Sequence, residues 1–363
     1  MTRAVSFVAS LVVSLAGVNG VGALQTCEHN GKWVDGKCAC NAQWKGMTCG
    51  ELALLPAPRN GGLHLANYST WGASVVQDDT GLYHMFASRI AGHCDLSKWY
   101  PNSAIVRATS DNALGPFVLQ DVVLPSFAHG PVVRRLPGGG YAMFHIGCGS
   151  HNGTIKDCAG ATESEGQAYC NPDWIAASSA PALQGPWTLH GPLIDATNWT
   201  WFGGGVTNPA PLVFPNGSVL LLYRGHEPEK LGASFASAFQ GPYSAVGRVP
   251  LIEDADEDPF IWMTSDGVIH GITHWMGKSS GAQAGGRHIW SVDEGVSWSV
   301  SSALAFTTAI EWDDGALEHV TTRERPQLLV KDGLPMVLYN GLQPTGAHLH
   351  GKTWTMAQPI NQA

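Results

Sequence analysis

Charge is scarce in this chain. Only 13% of its 363 residues are Asp, Glu, Lys or Arg, and 20 basic residues face 29 acidic ones. No Lys/Arg cluster offsets the formal net charge of −9, which argues against nucleic acid as a partner. Beyond the N-terminus no stretch is apolar enough to cross a membrane. There is no Gly-x-Ser-x-Gly elbow and no His-Glu-x-x-His pair. Gly203-Gly204-Gly205 lacks the strand-to-helix setting of a phosphate loop. In abundance instead are 44 Gly, 22 Pro and 14 Trp, with 44% hydrophobic residues. That composition fits a turn-rich all-β chain able to bury a large core.

Residues 1–23 read as a secretory signal peptide. Arg3 gives the positive start, residues 4–18 an apolar run too short for a comfortable membrane span, and Val21-Gly22-Ala23 small residues for cleavage. The expectation is an extracellular protein with no membrane span after signal removal. Four sequons, at Asn67, Asn152, Asn198 and Asn216, are then candidate glycosylation sites.

Eight cysteines suit that oxidising compartment. Four of them, Cys27, Cys38, Cys40 and Cys49, lie in residues 24–51. Their Cys-x-Cys and later Cys, with Trp44 and Gly46, resemble the C-terminal part of an EGF-like module. The resemblance implies Cys27–Cys38 and Cys40–Cys49 bridges, and a role as spacer or protein-contact module. The other four, Cys94, Cys148, Cys158 and Cys170, allow three connectivities. Cys94–Cys148 with Cys158–Cys170 is the expected one, tying two hairpin exits together and closing a polar loop.

Residues 52–363 repeat one phrase five times: a short apolar run, a Gly-containing turn, and a second apolar run. The runs begin at Trp71-Gly72, His129-Gly130-Pro131, Thr207-Asn208-Pro209, Glu257-Asp258-Pro259 and Glu324-Arg325-Pro326. A Gly-Pro-aromatic phrase follows the first three, at 115–117, 185–187 and 241–243. Repeats of this length, each with several short strands, predict a five-bladed β-propeller of four-stranded blades. The prolines predict extended backbone at the residue before each.

In a propeller the start of each innermost strand faces one mouth of the axis. The five phrases therefore place Trp71, His129, Asn208, Glu257, Asp258, Glu324 and Arg325 in one ring, a polar and partly acidic funnel. Arg224, His145, His274, Arg287, His288 and Asn340 are expected near it, at strand ends or just after them. Arg325 is a candidate to pin a substrate carboxylate. No cofactor is expected; the run 254–258 is the alternative, as calcium ligands.

The strand-turn-strand pattern, the Gly-Pro-aromatic phrases and Glu257-Asp258-Pro259 resemble the five-bladed glycoside hydrolases of family 43. That resemblance implies hydrolysis of a poly- or oligosaccharide by three carboxylates, and residue by residue Glu257 matches the general acid. The third-blade Asp is replaced by Asn208, and the first-blade base position falls on Gly72. With two of three carboxylates unmatched, Glu324 is the expected replacement base. Asp258 should point to the opposite strand face by the period of two. The alternative is a non-catalytic glycan-binding propeller.

Overall fold

The computed structural model describes residues 26–149, 158, 174–194, 203–227, 229–247, 250–278 and 284–363. Residues 1–25, Cys170, Asn152, Asn198, Trp199 and Trp201 lie outside them, and with them the expected signal and two sequons. Among the described residues no helix is long and apolar enough to cross a membrane.

Five antiparallel sheets stand around one axis. Each of the first four has four strands in chain order. Their innermost strands are Thr70–Gln77, His129–Arg135, Gly203–Val213 and Asp256–Met263. Thr322–Lys331 leads the fifth. Each innermost strand packs on the next, and the fifth packs on the first, which closes the ring. Burial explains the sequence pattern. Innermost strands are covered on both sides and read as near-continuous apolar runs; Thr70–Gln77 is buried over its first six residues. The outermost strand Val118–Leu124 alternates exposed and half-buried positions, because one face meets solvent.

The fifth blade departs from the expected four strands and has three. Its outer edge, Trp354–Pro359, is covered by the irregular segment that enters the propeller. Leu63 bridges Thr355, Leu54 bridges Ile360, and Gln358 Nε2 donates to the Leu55 carbonyl at 2.8 Å. An open sheet edge is thus paired by the start of the domain.

The N-terminal module is not a spacer. Its bridges are Cys27–Cys38 and Cys40–Cys49, as its resemblance implied. Cys27, Trp44, Cys49 and Leu52 share one core with Phe260, Trp262, Phe306 and Leu338 of blades four and five. A polar chain crosses the same junction. Glu28, 3% exposed, accepts from Thr48 Oγ1 at 2.6 Å, Ser301 Oγ at 2.9 Å and His288 Nδ1 at 3.1 Å. His288 Nε2 in turn lies 3.0 Å from His270 Nδ1. The two imidazoles are stacked between Trp262 and Trp290, with neighbouring ring centroids 5.2–5.3 Å apart. With so little core of its own, the module completes itself on the propeller.

One disulfide expectation is overturned. Cys94 pairs with Cys158, not Cys148, at a Cα–Cα distance of 5.3 Å. Cys158 packs with Cys94, Trp71 and Leu96 of blade one. Cys148 is disulfide-bonded as well.

Candidate active site

One backbone device, repeated five times, builds the site. At Gly72, Gly130, Asn208, Asp258 and Arg325 the backbone is left-handed, with φ of 60°, 61°, 55°, 50° and 53°. The strand register breaks at each, as between Glu257 and Phe260 and between Glu324 and Gln327. These are β-bulges, and they overturn the extended geometry expected before proline. For Asp258 and Arg325 this backbone costs on the order of 1–3 kcal/mol each. The bulge also cancels the period of two. Consecutive residues, Glu257 with Asp258 and Glu324 with Arg325, all line one pocket, so Asp258 does not turn away as expected.

The pocket has a volume of about 250 Å3. Of the expected residues it gathers Trp71, His129, Asn208, Arg224, Glu257, Asp258, Glu324 and Arg325. Trp99 and Leu96 from the blade-one insertion, with His348 and Leu349 from the last long loop of blade five, complete its walls. Below, the axis is blocked: Arg134 of blade two reaches across to stack on Phe260 of blade four at 4.9 Å and donates to the Pro211 carbonyl of blade three. The pocket therefore has one open end.

Four expected residues lie elsewhere, among them Asn340, fully buried and accepting from Arg323 Nε at 3.0 Å. His145 is fully buried in blade two, bonded to Ser178 Oγ at 3.0 Å. His288 faces the N-terminal module. Arg287 stacks on Trp275 and pairs with Asp254 at 2.7 Å and with Asp256. This pairing draws both aspartates away, so the run 254–258 does not converge as calcium ligands. Strand-end position alone suggested these four, and it does not tell which face of the blade a side chain takes.

Polar contacts fix the charges. His274 Nδ1 donates to Glu257 Oε1 at 3.0 Å, and Arg224 Nε stands 3.5 Å from Glu257 Oε2. Burial works to raise the Glu257 carboxyl, but His274, Arg224 and Arg325 pull it down to about 2. Burial works to lower His274, but Glu324, Glu257 and Asp258 push it up to about 9. Burial, aided by Glu257 and opposed by Arg325, raises Asp258 to about 6. His348 Nε2 donates to Glu324 Oε1 at 3.1 Å, and that bond raises the His348 pKa. His348 was missing from the expected site set. It lies on a loop outside the repeat and carried no pattern; His274, expected near the ring as a strand-end residue, faces Glu257 across the hairpin.

His274, Arg224 and Arg325 thus favour the ionised form of Glu257, which argues against the general-acid role that the family resemblance assigned to it. Glu257, Asp258, His274 and Glu324 bring one polar atom each within 4.8 Å of one another. That is closer than the roughly 6.5–9.5 Å between the carboxyl groups of an inverting pair. Glu257 and Glu324 therefore sit on the same side of the pocket. Opposite them, on blade two, His129 bonds Ser103 Oγ at 2.8 Å and stacks near Trp99.

Four buried imidazoles, His129, His145, His270 and His288, have pKa values below the ordinary 6.5, chiefly through burial. The unfolded chain binds protons there first, so their stabilisation is complete above pH 6.5 and is lost as pH falls below it. Each contributes a slope of about 1.4 kcal/mol per pH unit. His274, raised, stabilises in the opposite sense, and that contribution disappears only as pH rises through about 9. Thermal melts from pH 8 to 5 should show Tm steady near neutrality and falling steeply below pH 6.5. A flat profile down to pH 5 would contradict neutral buried imidazoles.

No protein-family model matches the chain, and no curated protein matches its sequence. Solved structures do match. A family 117 glycoside hydrolase of the marine bacterium Zobellia galactanivorans is 13% identical, with a TM-score of 0.60 over 89% of this chain and 92% of that one. An exo-β-1,3-galactanase of Phanerochaete chrysosporium is 13% identical, with a TM-score of 0.53 over 84% of this chain and 64% of that one. An α-L-arabinofuranosidase of Lactobacillus brevis is 10% identical, with a TM-score of 0.52 over 80% and 90%. At such identities the likeness is one of architecture, and it agrees with the five blades counted around the axis: this chain has the five-bladed β-propeller fold that glycoside hydrolases also use.

Proposed function

We propose that the chain is a glycoside hydrolase acting on the end of a poly- or oligosaccharide. The observation that carries this reading is the blind axial pocket, which holds an ionised carboxylate, Glu257, beside a carboxylate-backed imidazole, His348 on Glu324. Glycosidic cleavage needs one ionised and one proton-donating group at the scissile bond. Glu257 supplies negative charge to the developing oxocarbenium centre. His348, bonded through Nε2 to Glu324 and about half exposed at the mouth, presents Nδ1 to the leaving oxygen and can recharge from solvent. A pocket of about 250 Å3 with a closed floor suits one terminal ring, and half-buried Trp99 offers that ring an apolar face. Arg224, Arg325 and His274 are each paired with a carboxylate of the protein, which favours an uncharged sugar over a uronate.

Secretion, and glycans at the exposed Asn67 and Asn216, belong to the same reading. Three disulfides within the described residues fit an oxidising compartment.

A panel of aryl glycosides and oligosaccharides, read for both release and binding, tests the proposal. Release of a terminal neutral sugar supports it. Binding without release supports the second reading, a non-catalytic glycan-binding propeller, which Gly72 at the expected base position favours. On an active substrate, Glu324→Gln should move the alkaline limb of kcat/KM to lower pH. Glu324 raises the His348 pKa, so losing it lets the donor lose its proton earlier. An unmoved limb would exclude His348 as the proton donor.

A further inference from the structure

The five bulge positions share a backbone but not a filling. Blades one and two carry glycine, and blade five carries arginine. A Cβ on Gly130 would overlap Arg325 Nη2, and one on Gly72 would stand 3.2 Å from Arg325 Cβ. The Arg325 side chain therefore runs across the axis and lies on the backbone of two other blades. Its Nη1 donates to Asp258 Oδ1 at 2.6 Å, and its backbone N–H donates to Asp258 Oδ2 at 3.2 Å. Asp258 is only 5% exposed, and Arg325 bonds both of its oxygens.

Two polar atoms on the far side of the strut are buried without a protein partner: Arg325 Nη2 and Gln327 Oε1. Both residues are 8% exposed, and both border a second cavity of about 10 Å3 on the axis. The first atom needs an acceptor and the second needs a donor. Water offers both. An anion has no hydrogen for Gln327, and a metal cation has no lone pair for Arg325. A cavity of this size has room for about one water.

We propose that Arg325 is a positioning residue: laid over Gly72 and Gly130 and braced by one trapped water on Gln327, it fixes the Asp258 carboxylate at the pocket floor. Blades one and two then carry glycine because the arginine occupies the volume that side chains there would fill. The strut's geometry does not rest on the glycosidase reading.

A thermal-unfolding double-mutant cycle tests the strut. Alanine at a φ of 61° is strained in any background, and the cycle cancels that cost. Gly130→Ala should lower Tm by several degrees more in the presence of Arg325 than in an Arg325→Ala background. Equal losses in both would overturn the strut. Positioning has its own readout in the Asp258 carboxyl titration, followed by carbon NMR. Arg325→Lys, which keeps the charge but loses the fork, should raise its midpoint by about one unit or more. An unchanged midpoint would leave Arg325 a mere filler and refute the role. Crystals grown in sodium bromide identify the bridge: a single water-sized peak without anomalous signal is expected, and a bromide peak would refute the water. If no glycoside is ever turned over, the functional reading fails while these three results still judge the strut.

Discussion

Glu257→Gln should lower turnover by about 1,000-fold or more, with Tm changed by no more than a few degrees. The asymmetry follows from the contacts. A glutamine Oε1 can still accept from His274 Nδ1, so the hairpin pairing of Glu257 with His274 persists. What disappears is the negative charge that His274, Arg224 and Arg325 hold in place at a carboxyl pulled down to about 2. That charge is available at any working pH, which suits an electrostatic or nucleophilic part and not a proton donor. A variant that keeps near-full turnover would remove Glu257 from the chemistry. The remaining carboxylates would then have to be reassigned, with Asp258 first because its pKa is raised towards 6.

Trp44→Ala should destabilise the whole propeller. Trp44 is 6% exposed in a core shared with blades four and five, and its ring centroid lies 4.8 Å from that of His288. Truncating a buried tryptophan costs about 3–5 kcal/mol. In a chain of this size that corresponds to a Tm loss of roughly 5–15 °C. The measurement is a single calorimetric scan. One cooperative transition, shifted down, shows that module and propeller melt together. An unshifted main transition, with only a small early one affected, would restore the module to the status of an appendage.

The contrast between those two regions shows what the sequence carries and what it hides. Blade count was legible because each hairpin repeats its own apolar run, turn and apolar run, a local signal that no tertiary contact has to complete. The ring membership of His129, Asn208, Glu257, Glu324 and Arg325 followed from it by symmetry. The bulge was not legible. Proline after Asp258 argues locally for extended backbone, and only the closure of five strands on one axis forces the left-handed turn. With the bulge went the period of two, and hence the place of Asp258. His348 was out of reach because it comes from a connecting loop whose position depends on packing against the blade-one insertion, where Ser97 N–H donates to the Leu349 carbonyl at 2.9 Å. The docking of the module was equally non-local. Glu28 and His288 are 260 residues apart, and no spacing rule joins them. The expected Cys94–Cys148 pairing failed for the same reason, since Cys94 and Cys158 are 64 residues apart and no spacing rule joins them.

Seeing a sugar in place is the most direct measurement. Crystals of Glu257→Gln soaked with the oligosaccharides of the release panel should show one terminal, uncharged ring inside the axial pocket. Its anomeric carbon should lie beside residue 257, its apolar face against Trp99, and its leaving oxygen within reach of His348 Nδ1. A ring bound on the outer blades, or one lying across the mouth with its anomeric carbon turned to solvent, would contradict the account.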